Sequence, residues 1–427
     1  MAESATAALI PIELLVLILM IATGVSIIAR RAALPYSVAL VLAGLVIAIL
    51  QPIGRVEVTQ ELILIGLIPG LVFEAAYKID VSELRRTFLA VAVLAAPGVL
   101  ITAAVVAVIV SMVTGMDFGL AFLLGAMISA TDPVAVVALF KRVGAPPRLA
   151  TVVEAESLLN DGTGIVLFTI ALGALTAPVS LAGGAVAFVT TIVSSAVLGL
   201  IGGLVAFRVM RATDDHMIEV AISFVAAYAT YIVADRVHES GVIATVVVGL
   251  VLGNQAGVRG LSQGTRDALD VVWEFTAFVL TAVTFLLVGF AISPDLLLLA
   301  APVIAAGFVA ITLARAIVVY GVVGGGSRLI RGPNAPSVGY LHVMFWAGLR
   351  GAIAVALALA LPPALKDRDL LTGAVYGIVL VTLLVQGTTA GWVIRRSGVL
   401  AEDVAPGGTD GAPSDPGSGP GGAPEGV

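Results

Sequence analysis

Two motifs that contain carboxylates lie inside long apolar stretches of this 427-residue chain. The sequence Ser-Ala-Thr-Asp-Pro occupies residues 129–133, and Glu-Ser-Leu-Leu-Asn-Asp-Gly occupies residues 156–162. An ionised side chain at the centre of a bilayer costs about 2.5–3.5 kcal/mol on insertion scales, so such residues mark ion pathways, proton relays or buried ion pairs. Carboxylates bind protons and hard cations, and these motifs are therefore a candidate site for one or both.

The second motif presents two different faces if it is helical. At about 100° per residue, Glu154, Ser157 and Asp161 fall on one face, because they are spaced by three and four residues. Glu156 and Asn160 are four residues apart and share a second face, which is turned away from Asp161. No cationic residue lies on the face of Asp161. We therefore expect Asp161 to face the ion and Glu156 to face a cationic partner.

Two arginines are the available partners for Glu156. Arg315 and Arg350 lie inside apolar segments, whereas the other basic residues fall in loops. A buried ion pair that loses one member leaves an uncompensated charge, so we expect Glu156 to have a structural role. The sequence itself leaves open whether Glu156 pairs with Arg315 or with Arg350.

Pro133 predicts a break in the helix that carries the first motif. Proline lacks a backbone N–H and moves the preceding residue out of helical geometry, here near Thr131 and Asp132. A break exposes carbonyl oxygens that can coordinate a small cation, and it creates helix ends whose dipoles need compensation. We expect Asp132 to neutralise a positive N-terminal end. The Gly-Leu-Arg-Gly sequence at 348–351 predicts a second break, where Arg350 neutralises a negative C-terminal end.

These residues must be positioned by membrane-spanning helices, and the fold class is an all-α polytopic membrane protein. Asp161 lies about 15 Å from the start of the sixth segment at a rise of about 1.5 Å per residue, near the middle of a core about 30 Å thick. Thirteen apolar segments can each span the bilayer. Their approximate ranges are 7–29, 35–50, 60–77, 87–113, 117–140, 150–174, 182–207, 217–234, 240–254, 271–293, 296–324, 336–362 and 370–394.

The basic residues support this count and predict the orientation. The loops after odd-numbered segments hold 16 Lys and Arg residues, whereas the loops after even-numbered segments hold 4. By the positive-inside rule the N-terminus lies outside and the C-terminus in the cytoplasm. Residues 1–400 are expected to form the transmembrane domain. Residues 401–427 are rich in Gly, Pro, Ser and Asp and are predicted to be a disordered cytoplasmic tail.

The composition excludes a water-soluble protein and several kinds of site. Hydrophobic residues make up 59% of the chain and charged residues 12%, whereas soluble domains carry about 25% charged residues. Lipid must therefore solvate most of the chain. The absence of Cys excludes thiolate metal sites, three His residues disfavour a His-rich metal site, and no basic patch for nucleic acid is present. We expect no enzymatic activity, no cofactor and no nucleic-acid partner.

The two motifs resemble those of monovalent cation/proton antiporters of the NhaP type, the branch related to the eukaryotic sodium/proton exchangers. The matching segments are residues 129–135 and 156–162, with supporting matches at 240–244, 273–275 and 348–352. Their order and spacing fit the family over most of residues 10–397. The resemblance implies thirteen helices in inverted repeats, crossed broken helices five and twelve, and a homodimer.

The resemblance also implies roles for individual residues. Asp161 would bind sodium and protons in turn, and Asn160 and Ser157 would support the site. Thr131 and Asp132 would line the unwound crossing.

Three further roles follow from the same resemblance. Glu74 matches a carboxylate of the third helix that lines the ion site in some relatives. Glu156 would form its structural pair with Arg315. The sodium ligands implied in this way are Asp161, Ser157, Thr131 and Glu74.

The expected function is antiport of sodium or lithium against protons across the cytoplasmic membrane, by alternating access around Asp161. Position 160 is Asn, so the sixth segment offers one titratable carboxylate and predicts an electroneutral one-to-one exchange. Two other classes remain. A cation channel would usually present a ring of identical charged groups. An intramembrane aspartyl protease would need two Asp residues, such as Asp132 and Asp161.

Overall fold

The chain folds into a bundle of helices, seen here in a computed structural model. Strands are absent from the described part of the chain, and helix is found in each of the thirteen predicted segments, which confirms the predicted fold class. Among the described residues, seven helices are long and apolar enough to cross a membrane, by length and composition, and shorter or interrupted helices occupy the other segments. The described residues are 16–29, 31, 35–50, 58–177, 180–213, 215–258, 262–326 and 336–399.

Each predicted segment corresponds to one helix or to two consecutive helical pieces, numbered α1 to α13. The bounds are α1 Val16–Ala29, α2 Tyr36–Leu50, α3 Leu62–Leu67 with Ile68–Lys78, α4 Val81–Ala95 with Pro97–Thr114, α5a Phe118–Met127, α5b Val134–Val143, α6 Pro147–Ala174, α7 Leu181–Met210, α8 His216–Arg236, α9 Gly241–Val258, α10 Gln263–Ala291, α11 Pro294–Leu299 with Ala301–Gly324, α12a Val338–Trp346, α12b Ala352–Leu359 and α13 Arg368–Arg396.

Two halves of six helices share one pattern of interruptions, with α7 between them. The fifth helix of each half, α5 or α12, is broken into two half-helices. The fourth helix of each half, α4 or α11, is interrupted near a proline: Ala96 precedes Pro97, and Ala300 closely precedes Pro302. This order matches the predicted inverted repeats and places both breaks at equivalent points of the two halves.

Local sequence accounts for the ends of the helices that carry the site. The Asp117 carboxylate accepts hydrogen bonds from the amides of Gly119 and Leu120, at 2.9 and 3.3 Å, and so caps the start of α5a. Gly144, with φ of +69°, ends α5b in the left-handed conformation that glycine adopts without strain. The short α5b is therefore bounded by Pro133 at one end and Gly144 at the other.

Small residues bring several helices into backbone contact. Gly44 of α2 and Gly289 of α10 lie against each other, and a Cβ on either residue would overlap the partner helix. Gly249 and Gly253 of α9 pack in the same way on the backbone of α3 near Tyr77. Such close approach is how membrane helices gain packing contacts where no hydrophobic effect drives them together.

Some sequence predictions lie outside the described residues. They are the first turns of the first segment, the external position of the N-terminus and the disorder of the tail at 401–427. The proposed domain 1–400 is described over most of its length.

Candidate functional site

The breaks in α5 and α12 meet each other. The backbone N–H of Asp132 donates a hydrogen bond to the carbonyl of Leu349, at 2.8 Å, and joins the two unwound segments. Gly351 lies so close to the Asp132 carboxylate that a Cβ at this position would overlap it. The predicted crossing of two broken helices is therefore present, and glycine is needed where they touch.

Charged side chains lie at the two helix ends exposed by the break in α5. An Asp132 carboxylate oxygen accepts a hydrogen bond from the N–H of Val134, at 2.9 Å, at the positive start of α5b. The Arg350 guanidinium donates from Nη1 to the carbonyls of Ser129 and Ala130, at 2.5 and 3.0 Å, just after α5a. The negative end that Arg350 contacts thus belongs to α5, although Arg350 itself comes from the break in α12.

Thr131 is held between two side chains of α6. Its backbone N–H donates to Asn160 Oδ1 at 3.1 Å, and Asn160 Nδ2 donates to the Thr131 hydroxyl at 2.7 Å. The same hydroxyl lies 2.9 Å from the Ser157 hydroxyl. All three residues are buried, so these hydrogen bonds fix the unwound segment against α6.

Glu156 faces Arg315 of α11 and not Arg350. Both carboxylate oxygens are paired: Nη1 of Arg315 contacts Oε1, and Nη2 lies 2.9 Å from Oε2. Arg315 also donates from Nε and Nη2 to the carbonyl of Met344, at 3.2 and 2.8 Å. The Glu156 side chain is 1% exposed and that of Arg315 9%. This two-point geometry is the strong form of a carboxylate–guanidinium pair, and it joins α6 to α11 and α12.

Asp161 lies on the other face of α6, at the wall of a cavity of about 130 Å³. Asp161, Thr131, Asp132 and Glu74 all contribute to this wall, while the rest is largely apolar. Ser157 is absent from the wall and lies behind Thr131. Among the described residues, therefore, three carboxylates and the hydroxyls of three threonines (Thr131, Thr281 and Thr284) line one cavity. Oxygen ligands of this kind suit a hard monovalent cation.

The cavity extends along α3 to a charged pair. Glu74 lies in its wall, and the Glu74 carboxylate forms an ion pair with the ammonium of Lys78, one turn further along α3. The Glu74 side chain is 15% exposed. The sequence places Glu74 near the inner boundary of the bilayer, and the structure brings it to the same cavity as Asp161.

Some hydroxyl groups near the site, among them those of Thr163 and Thr284, have no role in the sequence predictions. Thr163 of α6 donates to the carbonyl of Ala95, at 2.5 Å, beside the interruption of α4. Thr284 of α10 lines the cavity, is 1% exposed, and has a hydroxyl without a hydrogen-bond partner in the described structure. The sequence does contain a signal for the contact of Thr163: Pro97 lies two residues after Ala95, and a proline in a helix frees nearby carbonyl groups. No sequence signal distinguishes Thr284 from the other threonines of α10.

Comparison with known proteins identifies the family of this chain. Residues 15–396 match the family model described as sodium/hydrogen exchanger, transmembrane. The low-affinity Na⁺/H⁺ antiporter NhaS1 of Synechocystis sp. is 34% identical over 378 residues, which cover 86% of this chain and 71% of that protein. The Na⁺/H⁺ antiporter ApNhaP of Aphanothece halophytica is 35% identical over 400 residues, which cover 92% of this chain and 76% of that protein.

A solved structure has the same fold. The sodium proton antiporter MjNhaP1 from Methanocaldococcus jannaschii, solved at pH 8, superposes with a TM-score of 0.73 at 20% identity and covers 92% of this chain and 99% of its own. The family model and the curated relatives confirm the resemblance that the two motifs indicated. The chain therefore belongs to the transmembrane sodium/hydrogen exchanger family, whose members are transporters and not enzymes, so the protease alternative is excluded.

Proposed function

We propose that this protein exchanges sodium or lithium for protons, one for one, by alternating access around Asp161. The observation that carries the proposal is the position of Asp161: it is the α6 carboxylate at the cavity wall, and no basic side chain in the described structure pairs with it there. Asp132 also lies in the cavity wall, but its carboxylate accepts a hydrogen bond from the N–H of Val134 and compensates the positive end of α5b.

Competition for one carboxylate is sufficient to couple the two fluxes. Asp161 accepts either a proton or a dehydrated cation, and binding of one displaces the other. The empty, charged site crosses the apolar barrier slowly because an unpaired charge in a low-dielectric environment is costly. Each half-cycle then carries one positive ion in opposite directions, and the exchange moves no net charge.

The rest of the structure supports a division between fixed and exchangeable groups. Thr131 supplies oxygens at the cavity and is held by Asn160 and Ser157, so these two residues support the ion site from behind. Glu156 and Arg315 form an ion pair with each other and take no part in the exchange of ions. We assign sodium ligation to Asp161, Thr131 and Glu74.

We further propose that the N-terminus lies outside and the C-terminus in the cytoplasm of a bacterial inner membrane, with a homodimer as the assembly. The 16-to-4 distribution of basic residues supports the orientation. In that orientation Lys78 marks the cytoplasmic end of α3.

Transport by purified protein in liposomes tests the function. An imposed sodium gradient should drive proton movement, read by a pH-sensitive dye, and Asp161→Asn should abolish it because the amide keeps the shape of the side chain and cannot titrate. Folding of the variant is checked by its elution profile and thermal stability in detergent. Sodium-driven proton movement at a substantial fraction of the parent rate in Asp161→Asn would remove this residue from the mechanism.

A further inference from the structure

One charged residue beside the cavity has no role in the exchange described above. Lys78 lies one turn after Glu74, and the two side chains form an ion pair. The α3 residues in the cavity wall include Leu71, Glu74 and Ala75. Lys78 follows them by seven, four and three residues, so it continues the same face of α3 at the end of the cavity.

The cavity wall contains more carboxylates than a one-to-one exchange requires. The wall holds three carboxylates among the described residues, those of Glu74, Asp132 and Asp161. Asp132 is engaged at the start of α5b. Glu74 and Asp161 would then both be free to bind protons, and returning the empty site across the membrane would require two protons for each sodium ion.

We propose that the Lys78 ammonium is an internal counter-ion of the site, which occupies Glu74 whenever no cation is bound and leaves Asp161 as the single exchangeable charge. This inference rests on the proposed one-to-one exchange and supplies the group that maintains it. A sodium ion that reaches Glu74 must displace the ammonium. Lys78 therefore also lowers the apparent affinity of the cavity for sodium.

A purely structural role for Lys78 makes different predictions. A lysine in the last turn of a helix compensates the helix dipole, and a partly exposed ion pair adds little stability. The Lys78 side chain is 36% exposed and that of Glu74 15%, so an entering cation can reach both. A residue that only compensates the dipole would change neither the KM for sodium nor the number of protons exchanged.

The test compares Lys78→Met with the parent and two controls in proteoliposomes. Lys78→Arg keeps the charge at the same place. Arg86→Met removes a basic residue from the adjacent helix α4, where Arg86 pairs with Glu83 at 3.6 Å and is 75% exposed. For each protein the sodium gradient that gives zero flux is located at several potassium–valinomycin potentials, and the KM for sodium is measured at zero potential.

We expect Lys78→Met to become electrogenic and to bind sodium more tightly. One extra proton per cycle makes the zero-flux sodium gradient change about 50-fold per 100 mV, the value that follows from the work of moving one charge. The KM for sodium should fall about fivefold, the factor that corresponds to the upper end of the strength of a partly exposed ion pair. Lys78→Arg and Arg86→Met should keep a zero-flux gradient that is independent of potential and a KM within about twofold of the parent.

The outcomes separate this inference from the function on which it rests. If the parent and Lys78→Met both show potential-independent zero-flux gradients and equal KM values, Lys78 is not a counter-ion of the site, and the one-to-one exchange stands. If the parent gradient already depends on potential, the one-to-one exchange is wrong. The KM comparison then decides the role of Lys78, because a fivefold fall supports the counter-ion and an unchanged KM overturns it.

Discussion

The ion pair between α6 and α11 gives a quantitative prediction for Glu156→Ala. Glu156 is 1% exposed, and both of its oxygens contact Arg315. The variant leaves the Arg315 guanidinium buried with only the carbonyl of Met344 as its partner. Removing one member of a buried pair typically costs about 3–5 kcal/mol, because the remaining charge is desolvated without compensation.

That cost corresponds to a measurable change in Tm. Globular proteins unfold with an entropy of about 2.1 cal/mol/K per residue, so a chain of roughly 400 residues gains about 0.8 kcal/mol/K. On this scale, Glu156→Ala lowers the Tm by about 4–6 °C. The double variant Glu156→Ala/Arg315→Met removes both charges and should recover part of this loss, since an apolar replacement of a buried pair is tolerated.

Thermal unfolding in detergent, followed by tryptophan fluorescence, measures these changes. Asp161→Asn is the matched control, because it neutralises a carboxylate of the same helix on the face toward the cavity. We expect Asp161→Asn to lower the Tm less than Glu156→Ala does, because the amide keeps the shape of the side chain and leaves no buried charge without its partner. A Glu156→Ala variant that is as stable as the parent but inactive in transport would refute the structural role and place Glu156 in the ion site.

Further predictions concern the crossing and the topology. Gly351→Ala should abolish transport, because its Cβ would overlap the carboxylate at the crossing, whereas Gly173→Ala, which has open space around it, should transport at the parent rate. Thr131→Val should raise the KM for sodium, since it removes the hydroxyl held at the cavity wall; an unchanged KM would exclude that hydroxyl as a ligand. In this cysteine-free chain, an impermeant thiol reagent should label Ala2→Cys from outside intact cells and should not label Gly408→Cys, and the reverse pattern would invert the proposed orientation.

The break in α5 could be predicted from the sequence because its cause is local. Pro133 removes a hydrogen bond from the helix, and Thr131 and Asp132 are the adjacent residues that can satisfy the exposed ends. The two faces of α6 are equally local, because spacings of three and four residues determine which side chains point the same way. The sequence therefore separates Asp161 from Glu156, and the structure places them at the cavity and at the ion pair.

Contacts between distant helices could not be predicted from spacing. Glu156 and Arg315 are 159 residues apart, and the choice between Arg315 and Arg350 depends on how α6, α11 and α12 pack. Arg350 reaches carbonyls of α5 rather than of its own helix for the same reason, since only tertiary structure brings the two breaks together. Sequence resemblance resolved the first choice, and nothing in the sequence indicated the second. The ion pair between Glu74 and Lys78 is different, because these residues are four apart on one helix and their spacing indicates the pair.

The central claim is that sodium and protons compete for Asp161, and proton release on sodium binding tests it most directly. Purified protein in weakly buffered detergent solution is titrated with sodium chloride while a pH indicator reports released protons, with choline chloride as the control for ionic strength. Binding is measured in parallel by calorimetry. The titration is repeated over a range of pH, because only a protonated Asp161 has a proton to release. The proposed mechanism predicts that proton release by the parent rises toward one proton per sodium ion as the pH is lowered, and that Asp161→Asn releases none. Sodium binding without proton release in the parent at every pH, or equal release in Asp161→Asn, would contradict it.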